Sequence, residues 1–380
     1  MENSEYHEEE EILEPSARNI ITSLIGQLSK GSDLHRVTLP TFVLEPRSFL
    51  ERITDFMSHP EELLEAHKLD SPEKRMLAIC HYFLSGWHIR PKGVRKPYNP
   101  VLGEYFRCRW NFSNGTKGYY LSEQVSHHPP ISAYVFASPD NNFIIEGEMR
   151  PKSKFYGTSA GTMLEGSARI RLLNFPGEEY TITYPNIYVY GILFGKLTYE
   201  LGDVSVIRCE KTNLVCKAEF KTKGLFSGSY HDLAGKIKKI NTGETVYEIQ
   251  GKWTDKLKLS DKGGKSRLFF DAISAEVYPK DVAPEAEQDE FESRRLWQHV
   301  TENLKVDLDK ATEEKSRIEQ NQRDRTRKYE EAKKKWKHRF FNVTESGSSW
   351  KLENLPLNPV EANEAIENFI FNYNPNSEEC

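Results

Sequence analysis

The stretch Ile131-Ser132-Ala133-Tyr134-Val135-Phe136-Ala137, broken at Pro139-Asp140 and resumed as Phe143-Ile144-Ile145-Glu146-Gly147-Glu148-Met149, sets the fold class. Both halves are rich in β-branched and aromatic residues, each has the length of a strand, and a turn signal lies between them. They predict an antiparallel hairpin. Working outward, the same texture recurs over residues 104–110, 180–184, 204–209, 214–220, 246–253 and 267–277, with turn signals at Asn114-Gly115, Pro176-Gly177 and Thr242-Gly243. Many short antiparallel strands in succession predict a sandwich or a barrel. The sequence shows no internal repeat.

The flanks read differently. Residues 1–15 are acidic and are expected to be disordered. Residues 16–29 predict an amphipathic helix with Ile20, Ile21, Leu24, Ile25 and Leu28 on one face, capped at Ser16 and ended by Gly31. That face is too greasy to be left in solvent, so it must cover something. Residues 39–45, LPTFVLE, are extended and apolar. Ser48 and Glu51 form a capping-box pattern ahead of Phe49, Leu50, Ile53 and Phe56, and Ser71-Pro72 opens a second helix through Met76, Ile79, Cys80 and Phe83. Residues 91–100 predict a loop. Beyond a Pro- and Glu-rich break at 281–290, residues 291–337 are charged and helical in pattern; the tail, 352–380, gives no clear pattern.

Composition narrows the function classes. The chain has 380 residues, long for one domain, but a β-barrel with helical additions accommodates that length. Its net charge of −5 argues against a dedicated nucleic-acid binder, whose affinity rests on a basic surface. The five cysteines, Cys80, Cys108, Cys209, Cys216 and Cys380, are scattered, odd in number and without metal-ligand spacing, so reduced thiols in the cytosol are expected. The acidic N-terminus is no signal peptide, and no apolar run approaches the roughly 20 residues of a membrane span. A protein of this kind that handles lipid must shield it internally or work at a membrane surface.

Three local patterns carry chemistry. In Glu123-Gln124-Val125-Ser126-His127-His128-Pro129-Pro130, adjacent histidines of a continuous strand would point to opposite faces. The paired prolines end the ladder, however, so both rings can project from a strand end. Imidazole N–H groups donate well to phosphate, and a nearby dianion favours the charged ring. The alternative is a pair of turn histidines satisfied locally; zinc lacks third and fourth ligands at a recognisable spacing. The second pattern, Lys96-Pro97-Tyr98-Asn99-Pro100-Val101-Leu102-Gly103-Glu104, is a proline-stiffened loop offering a cation and an amide, or else a solvated loop. In the third, Lys315, Glu319 and Arg323 fall on one helical stripe where the acid can hold both cations, or else form a solvated charge ladder.

Together these patterns resemble the fingerprint of the oxysterol-binding-protein-related family. EQVSHHPP, KPYNPVLGE, the K-x-x-x-E-x-x-x-R stripe and the Pro279-Lys280 close of the strand region occur in the family's order, and the resemblance covers about residues 16–350. It implies a mainly β fold with helical additions: a large incomplete antiparallel β-barrel around an apolar lipid tunnel, an N-terminal lid helix and a C-terminal helical subdomain. The divisions expected are a disordered N-terminus (1–15), a lid and lid-to-barrel segment (16–46), N-terminal helices (47–90), the barrel (91–280), and a helical subdomain with its tail (281–380). With so little chain before Ser16, a short single-domain member is expected.

The resemblance also implies a function, that of a lipid-transfer protein. Its phosphoinositide site would comprise Lys96, Asn99, His127, His128, Lys315, Glu319 and Arg323, which hold phosphatidylinositol 4-phosphate by its headgroup. Leu24, Ile25, Leu28 and Leu39 would contact lipid chains at the lid. Residues 39–46 resemble the branch that exchanges phosphatidylserine for phosphatidylinositol 4-phosphate, with Ser153, Asn99, His127 and His128 at the serine headgroup. Sterol as second cargo, or a lipid sensor that transports nothing, are the alternatives. The expected partners are membrane phospholipids met in transient contact with membrane surfaces, at endoplasmic reticulum and plasma membrane contacts, by a cytoplasmic, peripheral monomer without nucleic acid. A tunnel follows from transfer energetics, since each CH₂ taken into water costs about 0.8 kcal/mol. An enzyme using His127 or His128 as a base would need a nucleophile and an orienting acid, and no G-x-S-x-G or comparable motif accompanies them. No catalytic residue, metal or cofactor is therefore expected.

Overall fold

The computed structural model of the chain describes residues 41–90, 94–192, 196–224, 228–345, 347–352 and 355–372. The expected helix over 16–29, with Leu24, Ile25 and Leu28, and the segment around Leu39 lie outside the described residues. The strands are β1 Leu44–Ser48, β2 Lys96–Tyr98, β3 Tyr105–Asn111, β4 Lys117–His127, β5 Pro130–Ser138, β6 Phe143–Phe155, β7 Ala160–Leu172, β8 Glu179–Ile182, β9 Asn186–Tyr190, β10 Thr198–Cys209, β11 Leu214–Lys221, β12 Asp232–Lys239, β13 Thr245–Lys252, β14 Lys256–Asp261, β15 Ser266–Asp271, β16 Phe341–Thr344 and β17 Gly347–Trp350.

Strands β3 to β15 build one 13-stranded antiparallel sheet in which sequence neighbours are ladder neighbours, with β8 and β9 sharing the place between β7 and β10. The protein is thus mainly β, with a few helices. Strand β3 ends the order at one side and β15 at the other, so the sheet curls without closing. Alternation puts Tyr120, Phe136, Ile145, Ile170, Ile207, Cys216, Ile249 and Leu257 on the inner face. There they meet Leu50, Met57, Leu63, Met76, Ile79, Phe83 and Trp87 from the helices Phe49–Arg52, Glu61–Glu65 and Pro72–Ser85 and the turns between them. Ser71 caps the longest of these helices, accepting from Lys74 N at 3.4 Å, with Pro72 at its first position.

The pattern over Ser48 and Glu51 does not form a capping box. Ser48 caps its short helix, but Glu51 accepts from Arg294 (2.8 and 3.1 Å) and Lys280 (3.4 Å) instead of turning back. Two fixed cations from residues distant in sequence outcompete one backbone N–H for a buried carboxylate. In the same region the rings of His59 and His88 stack, with their Nε2 atoms 2.7 Å apart, and His81 meets Phe269 and Phe270 edge-on.

The C-terminal part differs from expectation. The helices Ser293–Leu296, Gln298–Asn303 and Leu308–Glu331 occur where the charged pattern placed them, but residues 281–380 are not purely helical. The β16–β17 hairpin and the helix Pro359–Phe371 cover the outer face of β4–β6, where Phe340, Trp350, Ile366 and Ile370 bury Tyr119, Leu121, Val135 and Ile144. A sheet with apolar residues on both faces needs that second layer. The free edge of β3 is also covered. Arg109 and Asp281 exchange backbone hydrogen bonds (3.1 and 2.8 Å), and Tyr105 N donates to Phe291 O at 3.1 Å. Cys80, Cys108, Cys209 and Cys216 are buried and free. Among the described residues no helix is long and apolar enough to cross a membrane.

Candidate functional site

The paired histidines sit at the tip of the β4–β5 hairpin, and a bulge decides where they point. Gln124 pairs with Ser132 and Ser126 with Ile131, so Val125 is an extra residue on β4. Directly opposed residues share a face of the sheet. Gln124 and Ser132 lie on the inner row with Tyr120 and Tyr134, while Ile131 packs into the outer cluster. Beyond the bulge His127 pairs with Pro130 and returns to the inner row; strict alternation would have left it outside with Tyr119, Leu121 and Glu123. The Gln124 amide pins the bulge, with Nε2 donating to Ser126 O at 2.7 Å and Oε1 accepting from Ser132 Oγ at 2.5 Å. His128 is exposed, and the two imidazoles meet edge-on with centroids 4.7 Å apart.

His127 Nδ1 donates to Pro100 O at 3.0 Å, which ties the hairpin to the loop carrying the second pattern. In that segment Lys96 opens β2, which pairs in parallel with β1, so part of the loop expected over 91–100 is a strand. Lys96 and Asn99 are half-buried. The loop ends in a clamp. The Glu104 carboxylate is fully buried and accepts from Ser48 Oγ, from Ser293 Oγ at 2.8 Å, and from Trp297 Nε1 and Val101 N at 3.0 Å each. Burial pushes its pKa up and the four donors pull it back.

Gly103 has φ +77°, and a Cβ there would stand 2.1 Å from Trp336 Cζ2. Gly103→Ala is therefore expected to cost roughly 2–3 kcal/mol, from left-handed strain plus displacement of Trp336. Gly115→Ala, with φ +81° but open space around it, isolates the backbone share. Urea unfolding of both variants checks this, and equal losses would remove Trp336 from the account.

The helix Leu308–Glu331 lies against the same loop. Gln322 Oε1 accepts from Leu102 N at 3.0 Å, Arg325 donates to Leu102 O at 2.7 Å, and Ile318 packs on Leu44, Tyr98 and Val101. Lys315 is on this stripe and donates to Glu319 at 2.5 Å, its side chain only 11% exposed. Glu319 does not hold both cations as expected. Arg323 is exposed and its Nε donates to Gln320 Oε1 at 3.0 Å, while Glu319 takes Lys315.

Ser153 sits on the inner row of β6, past the last β5 partner, with its Oγ 2.8 Å from Thr162 Oγ on β7. The structure thus ties three segments to one loop, those that carry Lys96 and Asn99, His127, and Lys315 and Glu319, through the His127–Pro100 and Leu102–Gln322 bonds. Arg323, on the same helix, bonds Gln320, and Ser153 bonds Thr162 on the neighbouring strand.

Sequence reasoning missed the residues that hold this junction. Glu104, Gln124 and Gln322 are buried polar groups with hydrogen-bond partners, as is Glu123, whose carboxylate accepts from Arg339 N and Phe340 N at 2.9 Å each, and half-buried Arg325 donates to Leu102 O and Gln322 Oε1. A signal was present, since Glu104 and Glu123 each sit in an otherwise strand-forming run where a charge has to be paired. The arrangement offers imidazole and ammonium donors for an anion. Among the described residues no group of three or more His, Cys, Asp or Glu can hold a metal ion.

Comparisons with known proteins agree with this architecture. The family model described as oxysterol-binding protein matches residues 23–305. An oxysterol-binding protein homolog of Schizosaccharomyces pombe is 45% identical over 346 residues, covering 88% of this chain and 72% of that protein. Oxysterol-binding protein homolog 6 of Saccharomyces cerevisiae is 45% identical over 322 residues, covering 82% and 71%. Among solved structures, the Osh1 ORD domain in complex with cholesterol aligns with a TM-score of 0.75 at 23% identity, over 93% of this chain and 89% of that one. The Osh3 ORD in complex with PI(4)P from Saccharomyces cerevisiae aligns with a TM-score of 0.70 at 20% identity, over 96% of each chain. On the family match and these identities, the chain belongs to the oxysterol-binding protein family.

Proposed function

We propose that the protein is a lipid carrier that takes one membrane lipid into the curled sheet and holds a phosphoinositide headgroup at the junction of the β4–β5 hairpin, the Lys96–Glu104 loop and the helix Leu308–Glu331. The observation that carries this reading is the tie between the three patterns. His127 bonds Pro100, and Leu102 bonds Gln322 and Arg325 more than 200 residues away, so the segments that carry the paired histidines, Lys96 and Lys315 are tied to one loop. A multiply charged phosphate leaves water only where such charge-assisted donors replace its hydration. With His127 Nδ1–H committed to Pro100, a phosphate oxygen at Nε2 requires the doubly protonated ring.

Phosphatidylinositol 4-phosphate is the headgroup proposed, with Lys96, Asn99, His127, His128 and Lys315 as donors, Glu319 orienting Lys315, and Arg323 as an outer cation. Phosphatidylserine is the proposed counter-cargo, exchanged between membranes at contact sites of the endoplasmic reticulum. It rests on residues 39–46, with Leu39 against the lipid and Ser153 as a candidate headgroup contact. Sterol is the second reading, because the Osh1 ORD relative is a cholesterol complex. The protein is proposed to return its lipid chemically unchanged.

His127→Ala combined with His128→Ala is expected to reduce extraction of labelled phosphatidylinositol 4-phosphate from vesicles at least about 100-fold, the loss of two charge-assisted bonds. Unfolding should remain cooperative, because His128 is exposed and His127 is only half-buried. Undiminished extraction ends the proposal. A released chemical product would replace it with an enzyme.

A further inference from the structure

We propose that the acidic residues 2–14 dock on the lysines that follow the helix Leu308–Glu331 of the same chain, where they form an anionic cover beside the loop over residues 96–104. Residues 325–339 hold eight lysines and arginines against two glutamates, Glu330 and Glu331. Part of that charge is balanced locally. Arg327 meets Asp324 at 2.9 Å and Glu331 at 4.0 Å, and Arg339 meets Asp289 at 3.2 Å. Lys328, Lys333, Lys334 and Lys335 are exposed and form no ion pair among the described residues. Even with Glu330 set against them, these four leave a concentrated positive charge.

Local backbone geometry fixes where that charge stands. Lys333 N donates to Glu330 O at 3.0 Å and Lys334 N to Tyr329 O at 2.9 Å, the two bonds of a Schellman turn after Ala332. The left-handed position of such a turn favours glycine, yet Lys333 occupies it at φ +52°. The partial negative charge of a helix C-terminus favours a cation there, but three lysines in succession exceed what about half a charge balances. Trp336 then anchors the run. Its ring lies 5.4 Å from that of Tyr329 and fills the space where a Cβ on Gly103 would stand. Lys335 immediately precedes that anchor, so the lysines are set next to the end of the loop at Gly103.

The chain carries the matching counter-charge. Residues 1–15 contain seven glutamates and no lysine or arginine, and without those glutamates the net charge of −5 would be positive. Glu8, Glu9, Glu10 and Glu11 are consecutive. One helix separates the two ends of the path. Thr41 Oγ1 lies 3.3 Å from Leu308 O and 3.0 Å from Thr312 Oγ1, at the start of that helix. The lysines lie just past its other end, about 36 Å away at 1.5 Å per residue. Residues 15–40 span up to roughly 60 Å even with 16–29 coiled as the helix expected of them, so the acidic run reaches the lysines. A tether of that length holds it at an effective concentration on the order of a millimolar, where several weak exposed ion pairs suffice.

The test uses the full chain without lipid and a water-soluble carbodiimide, which joins a carboxylate to a lysine amine where the two touch. Peptide mapping of the monomeric product is expected to link glutamates of residues 8–11 to lysines of residues 333–335, with yields that fall as salt rises. Cleavage of the wild type after Glu8 to Glu11 by a glutamate-specific protease is expected to be slow at low salt. Lys333→Gln, Lys334→Gln and Lys335→Gln together should speed it about fivefold, since three exposed ion pairs are lost. Links confined to dimers would give the segment to a second copy, and links to other lysines, or none, overturn the docking. The effect on the headgroup rests on the carrier reading above. Glu8→Gln, Glu9→Gln, Glu10→Gln and Glu11→Gln together should tighten binding of a water-soluble, short-chain phosphatidylinositol 4-phosphate about threefold, by removing a tethered competitor. Equal affinity overturns the cover. Failure of both forms to bind that lipid overturns the headgroup site instead, while the cross-links still decide the docking.

Discussion

Glu104→Ala is expected to destabilise the folded chain by roughly 4 kcal/mol or more, near the upper end of single-substitution effects. The carboxylate is buried and receives Ser48 Oγ, Ser293 Oγ, Trp297 Nε1 and Val101 N, four donors from three segments of the chain. Alanine leaves the indole and the backbone N–H unsatisfied in a dry environment, at about 1–3 kcal/mol each, and opens a cavity besides. Glu104→Gln retains one acceptor oxygen but turns an NH₂ towards donors, so a loss of intermediate size is expected. Urea unfolding measures both. A midpoint for the alanine variant close to wild type would show that the loop is held by packing alone. The effect should reach the site, because Val101 and Leu102 carry the loop that meets His127 and Gln322.

The second large effect is acid sensitivity. Burial lowers the pKa of His59, His81 and His88 to about 4 each from an ordinary 6.5. Between those two values the unfolded chain binds more protons than the folded one, so stability rises with pH and is lost as pH falls through 6.5 toward 4. One pKa unit corresponds to 1.36 kcal/mol, so each histidine costs up to about 2 kcal/mol at pH 5, and the three together roughly 4–6 kcal/mol. Glu104 and Glu123, whose pKa values burial raises, act in the opposite sense and offset part of this loss. His81→Phe isolates the contribution. Its ring already packs edge-on against Phe269 and Phe270, and its Nδ1 is buried without a hydrogen-bond partner. The variant should lose about 2 kcal/mol less than wild type between pH 7 and pH 5. An identical pH dependence would mean that the ring is solvated enough to protonate freely.

Much of the sheet is legible in the sequence because its strands are apolar on the inner row. Residues 131–137 and 143–149 fall within β5 and β6, and 204–209 and 214–220 within β10 and β11. Strands β7 and β12 are obscured by glycine and by outward lysine and arginine, which dilute the apolar signal. Strand β14, KLKLSD, has only two apolar residues in six, too few to stand out from the charged sequence around it. The motif residues 123–127 are also the seventh to eleventh residues of the strand β4. The histidines, the loop and the charged helix are visible locally. Their meeting is not, since it depends on backbone groups of Pro100 and Leu102 and on a bulge that leaves no mark in composition. Ser48 and Glu51 satisfy a local rule on paper, but long-range cations take the acid. Local spacing likewise puts Glu319 within reach of Arg323 without deciding which neighbour wins.

The covered edge of β3 bears on the order of assembly. Neighbouring strands from β3 to β15 join mostly through short local turns, so most of the ladder can form while the chain is still growing. The outer edge of β3 must wait for Asp281 and Phe291, and the loop before it must wait for Trp297 and Gln322. That loop is therefore secured only after the whole ladder has been synthesised, and a chain stopped before Gln322 would own the sheet with its first edge strand leading from an unclamped loop.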